Sequence, residues 1–170
     1  CPLILRHIRE VICDDDPALY EYVIGWLAHL VQRPWEKPGV ALVLRGAKGV
    51  GKDTLAAVLQ RLVGDKHTDA IRGEHDLTGR FNESTARALL VHIEEALWSG
   101  DRAAAKALQQ IVTAPSLAME MEHRDKTTVR SCCRVILTTN EDWAAPAKGK
   151  DERRYAILDL SGRYRGDRPY

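Results

Sequence analysis

Between the apolar run Val40-Ala41-Leu42-Val43-Leu44 and the helix-like run Leu55-Ala56-Ala57-Val58-Leu59 lies the segment Gly46-Ala47-Lys48-Gly49-Val50-Gly51-Lys52-Asp53-Thr54. Gly46, Gly51 and Lys52 have the spacing G-x-x-x-x-G-K. Glycines there let the backbone turn tightly and point its N–H groups inward, and a helix N-terminus directly after adds a partial positive charge. A buried-type strand, such a loop and then a helix form a phosphate cradle, in which residues 46–54 contact the phosphates and Lys52 supplies the mobile charge. The residue after the lysine is Asp53, where a hydroxyl normally reaches Mg²⁺, and the hydroxyl follows at Thr54. Asp53 and Thr54 are therefore both candidate Mg²⁺ ligands, with a carboxylate beside phosphate adding repulsion.

A chain of 170 residues suits one well-cored domain, and its 45% hydrophobic and 29% charged residues are ordinary for a water-soluble fold. No apolar run reaches the length of a membrane span. The formal charge of +1 means that any nucleic-acid binding must come from local basic patches. Cys1, Cys13 and the adjacent Cys132 and Cys133 show no C-x-x-C spacing, which points to a reducing, cytoplasmic compartment. A first residue that is not methionine and a polar end suggest a fragment of a larger protein.

Ahead of the loop, Leu5, Ile8 and Ile12 recur at helical spacing, and Asp16-Pro17 opens a second helix carrying Leu19, Val23, Trp26 and Leu30. Residues 1–37 are thus read as a helical preface and 38–170 as the core. After the loop's helix, which ends at Gly64, Thr68 to Ile71 suits a short edge strand, and residues 77–82 read ambiguously.

The strand-like Ala88-Leu89-Leu90-Val91-His92-Ile93 ends in Glu94 and Glu95. In a nucleotide-hydrolysing site, a carboxylate at such a strand end helps hold Mg²⁺ and a second one orients or deprotonates water, roles that suit Glu94 and Glu95 in that order. The alternative is a solvated helix-start pair. His92 is read as a strand residue and not as a ligand.

Asp101 to Val112 reads as an amphipathic helix with Lys106 off its apolar face. Alternation at Met119 and Met121, a turn at His123-Arg124-Asp125-Lys126 and then Thr127 to Arg130 suggest a β-hairpin with a basic tip. His123, Arg124 and Lys126 have the donors to contact a nucleic-acid backbone, the alternative being a solvated turn. Arg134 to Asn140 is a strand ending in an amide that can bond both a γ-phosphate and the attacking water, or merely stop the strand in an Asx turn. Arg153 and Arg154 precede a last strand from Tyr155 to Leu160, where they suit either an arginine finger or ion pairs with Asp151 and Glu152.

In this order the motifs resemble superfamily 3 helicases, and among them the ATPase domain of phage and plasmid primase–helicases of the poxvirus-primase-like branch. The resemblance covers roughly Val40 to Leu160. It implies an α/β P-loop NTPase fold, a central and mostly parallel sheet flanked by helices, with the Asn140 strand between the loop strand and the acidic strand. It also implies ATP and Mg²⁺ as cofactors, Lys52, Glu94, Glu95 and Asn140 around one γ-phosphate, and Arg153 or Arg154 as the finger. Single-stranded DNA would meet Lys106 and the hairpin residues His123, Arg124 and Lys126, in a homo-hexamer with nucleotide between subunits, inside the bacterial host of a phage or mobile element. A second reading is an ATPase of the same fold acting as a regulatory or assembly switch without unwinding DNA. A small-molecule kinase is a third, and Glu94-Glu95 with Asn140 favour water over such an acceptor.

Overall fold

The computed structural model describes residues 2–73, 77, 83–94, 102–119, 127–140 and 152–166. A short helix α1 (Pro2–His7) continues into a π-helical turn (Ile8–Ile12), and α2 (Pro17–Gln32) follows. The α2 start is the one expected: the Asp16 side chain accepts from the N–H groups of Ala18 and Leu19, and Pro17 occupies the first turn.

Then come β1 (Ala41–Arg45), α3 (Lys52–Val63), a 3₁₀ turn (Asp65–His67), β2 (Thr68–Ile71), α4 (Glu83–Arg87) and β3 (Leu90–Glu94). The chain continues with α5 (Arg102–Thr113), β4 (Ser116–Met119), β5 (Thr127–Arg130), β6 (Arg134–Thr139) and β7 (Tyr155–Asp159). Five strands form one parallel sheet in the order β2-β3-β6-β1-β7, an α/β architecture with helices on both faces. The Asn140 strand, β6, does lie between β1 and β3. Thr68 to Ile71 is an edge strand, as its mixed composition suggests.

Central strands of a parallel sheet are covered on both faces, so they read as continuous apolar runs. Residues 41–44 and 134–139 are buried throughout. Side chains alternate across the sheet. Leu42, Leu44, Leu90 and Ile136 face one cluster with Leu55 and Leu59 of α3, while Ala41, Val43, Val91, Ile93, Val135 and Leu137 face Leu108 and Ile111 of α5.

The helical preface belongs to the first of these clusters: Ile8, Val11, Ile12, Val23, Trp26 and Leu30 pack directly onto it. It is also tied by polar bonds. The Trp26 indole donates to the Val40 carbonyl at 3.1 Å. The guanidinium of Arg134, 1% exposed, donates to the carbonyls of His29 (3.0 Å), Arg33 (2.7 Å) and Glu36 (2.9 Å), and to those of Pro34 (3.3 Å) and Cys132 (3.0 Å). One planar cation thereby bridges the end of α2, the turn after it and the segment that leads into β6.

The β4–β5 pair is antiparallel, with Met119 opposite Thr127 and Ser116 opposite Arg130, so pairing starts three residues earlier than the alternation at Met119 suggests. Leu117 buries against Ala86 of α4. The proposed basic tip, His123, Arg124 and Lys126, lies outside the described residues.

Candidate functional site at the carboxyl end of β1

In a parallel sheet all carboxyl ends share one edge, and loops that leave it surround a common crevice. The loop after β1 is shaped by three glycines for two different reasons. Gly49 (φ +84°) and Gly51 (φ +92°) adopt left-handed backbone. Gly46 is needed for close approach, since a Cβ there would come within 3.2 Å of Val50 and 3.3 Å of Leu160.

Lys52 opens α3 and is buried at 6% exposure. Its ammonium donates to the carbonyls of Gly46 (2.7 Å) and Ala47 (3.0 Å) and to the Asn140 amide oxygen (2.7 Å). The Gly46 N–H in turn bonds the Thr139 carbonyl at 3.2 Å. The ends of β1 and β6 are thus joined twice, once through backbone and once through Lys52 and Asn140. Ala47, Lys48, Gly49, Asp53 and Thr54 are exposed along the rim, and Val50 is buried beneath it.

Alternation along β3 puts His92 and Glu94 on the face of Leu90, toward α3. The His92 ring is 3.1 Å from the Thr138 hydroxyl and 3.5 Å from the Glu94 carboxylate, which also meets Arg72 at 3.2 Å. Burial holds the His92 pKa below its ordinary value, against the opposing pull of Glu94 and Asp53. His92 thus links the acidic end of β3 to β6. The strand pattern identified Glu94, but the ring linking it to β6 carried no separate signal.

From α1, the His7 ring lies 3.0 Å from the Gly51 carbonyl, and a Cβ on Gly51 would meet its Cε1 at 2.5 Å. Burial lowers the His7 pKa, and the bond to Gly51 raises it. A neutral ring protonated on Nε2 donates that bond. Nothing in the sequence near Leu5 and Ile8 marks His7 as a partner of the loop, because the contact spans 44 positions.

Other expected site residues lie elsewhere. Lys106 is exposed on α5, on the opposite face of the sheet from α3. Arg153 and Arg154 precede β7, which runs parallel to β1 with Tyr155 beside Ala41. They therefore stand at the amino edge of the sheet, a full strand length from the loop. Arg153 is exposed, whereas Arg154 is held by Glu152 at 2.7 Å and 2.5 Å, the ion-pair alternative read from the sequence. Glu95 lies outside the described residues.

Among the described residues no cluster of three or more His, Cys, Asp or Glu side chains could hold a metal ion unaided. Of the residues expected to meet Mg²⁺, Asp53 and Thr54 lie in the first turn of α3 and Glu94 at the end of β3. Also among the described residues, no helix is long and apolar enough to cross a membrane.

Two solved structures of the NrS-1 C-terminal region are similar in fold. An apo structure of residues 305–718 superimposes with a TM-score of 0.84 at 21% identity, covering 99% of this chain and 41% of that one. The A-form apo structure gives 0.79 at 22% identity, covering 94% and 37%. This chain thus spans about two fifths of that region. Among curated proteins none matches the sequence. A family model matches residues 44–154, from the end of β1 to the arginine pair, and by that match the chain belongs to DUF5906, a family of unknown function.

Proposed function

We propose that the chain is the ATP-hydrolysing motor domain of a replication helicase, with a P-loop NTPase fold. The observation that carries the reading is the convergence of Lys52 and Asn140, 2.7 Å apart, at the carboxyl ends of adjacent parallel strands under a glycine-shaped loop. Phosphate oxygens entering the loop compete with the carbonyls of Gly46 and Ala47 for the Lys52 ammonium, exchanging neutral acceptors for charged ones. Backbone N–H groups of residues 47–52 face the same oxygens.

Asn140, fixed by Lys52, turns its amide N–H₂ toward the γ-phosphate and its water. Glu95, next in sequence after Glu94, supplies the carboxylate that orients that water and accepts its proton as the bond from the γ-phosphorus to the bridging oxygen breaks. Thr54, Asp53 and Glu94 would hold Mg²⁺, which neutralises phosphate charge when bound. Because Arg153 and Arg154 sit at the opposite edge of the sheet, a finger role for them requires a neighbouring subunit, in keeping with a ring assembly. Single-stranded DNA is the proposed partner, through Lys106 and the β4–β5 hairpin.

The direct test compares Mg²⁺-dependent ATP hydrolysis by wild type and Lys52→Ala, each with and without single-stranded DNA. The reading expects hydrolysis that DNA stimulates and that the substitution abolishes. Turnover by Lys52→Ala at the wild-type rate would remove the loop from the chemistry, and hydrolysis indifferent to DNA would favour a regulatory ATPase.

A further inference from the structure

Beside the loop, a cleft of about 470 Å³ opens between α1, the first turns of α3 and the segment after β7. Its floor is Gly49, Gly51 and Thr54, the outer side of the phosphate cradle. Its walls are largely apolar, with Ile4 and Val11 from the preface and Val58 one turn along α3, and Tyr164 brings an aromatic ring to the far side. The volume lies within the range of small-molecule sites.

We infer that this cleft receives the base and sugar of a nucleotide whose phosphates occupy the loop, an assignment that rests on the phosphate-binding role proposed above. Three observations carry it. The cleft and the loop share Gly49, Gly51 and Thr54, so the cleft lies directly beside a ligand anchored by its phosphates. The walls offer apolar surface and one aromatic side chain, the chemistry that takes a flat heterocycle by burial and stacking. The Tyr164 side chain is also held in place: the guanidinium groups of Arg6, which itself lines the cleft, and of Arg163 lie 5.7 Å and 6.0 Å from its ring centre, and Arg6 is paired with Glu10 at 3.0 Å. A ring so braced is pre-positioned for stacking.

The cleft also gives the preface a role in binding. α1 closes one wall, and His7 links that wall to Gly51.

Calorimetric titrations of the full-length protein with ATP and with inorganic tripolyphosphate, both with Mg²⁺, separate the cleft from the loop. Wild type is expected to bind ATP about tenfold more tightly than tripolyphosphate, the stacked base supplying the difference. Tyr164→Ala removes the ring, and Val58→Trp fills the cleft from α3. Each should reduce ATP affinity about tenfold, toward that of tripolyphosphate, with tripolyphosphate affinity unchanged. Unchanged tripolyphosphate binding also reports that the fold is intact, and Tyr164→Ala serves alone if the tryptophan is not accommodated. Wild-type ATP affinity in both variants would overturn the cleft assignment while leaving the loop reading standing. Failure of wild type to bind either compound would overturn the loop reading and this inference with it.

Discussion

The Lys52 ammonium meets the Asn140 amide oxygen at 2.7 Å, across 88 positions of sequence. With the Gly46 N–H bond to the Thr139 carbonyl, it ties the loop after β1 to the end of β6. Replacing Lys52 by alanine removes both the charge and the anchor of Asn140. Nucleotide binding should fall by about 10- to 100-fold, as for the loss of a charged hydrogen bond. Asn140→Ala should instead spare binding within a few-fold and slow hydrolysis about 100-fold, because its amide acts on the transition state. Titration and single-turnover rates on both variants check the split; equal losses of binding would contradict it.

Gly51→Ala meets two penalties, strained backbone at φ +92° and a clash with His7. A loss of about 1–3 kcal/mol is expected from the backbone alone, with more from the ring. His7→Ala should relieve the clash and leave the strain, so the double variant should be more stable than the sum of the single effects predicts. Chemical denaturation of all four proteins measures that coupling.

His7 also sets a pH dependence. Its folded pKa lies below the ordinary value, so the unfolded chain binds the proton more readily. The stability it contributes is complete above the unfolded value of about 6.5 and is lost as pH falls through the folded one. His92, depressed for the same reason, adds in the same direction. Melting temperature should fall between neutral and mildly acidic pH, and less steeply in His7→Gln. An identical slope in that variant would clear His7 of the effect.

Arg134→Met should cost about 3–5 kcal/mol, because it removes together the buried charged bonds to the carbonyls of His29, Arg33 and Glu36. Arg134→Lys should recover only part of this, since an ammonium lacks the planar fork that reaches several carbonyls at once. Denaturation midpoints of the two variants decide the order.

Arg153→Ala/Arg154→Ala and Lys52→Ala should each be inactive in ATP hydrolysis, yet their mixture should recover part of the activity. One variant keeps the loop and the other keeps the arginines, which stand at opposite edges of the sheet. No recovery, in samples shown to contain mixed oligomers, would return the pair to ion pairing alone.

The loop, its flanking strand and helix, and the acidic and amide strand ends were legible because each is local: glycine spacing, a continuous apolar run, a polar residue closing a strand. Strand order followed only through resemblance, since composition does not say which buried strand neighbours which. His7 and Arg134 were not legible. Their partners lie 44 and about 100 positions away, and neither residue departs from what a helix or a strand start ordinarily carries. The arginine pair was visible, but that it lies across the sheet from the loop emerges only once β7 is known to run parallel to β1.

The matched family segment runs from residue 44 to residue 154, whereas two walls of the cleft come from α1 and from residues 161–166. The segment carries the loop of residues 46–54 complete and the cleft only in part. On the proposed reading, hydrolysis and the choice of nucleotide are therefore separable: exchange of α1 or of residues 161–166 replaces the surface proposed to meet the base while Lys52 and Asn140 keep their bond.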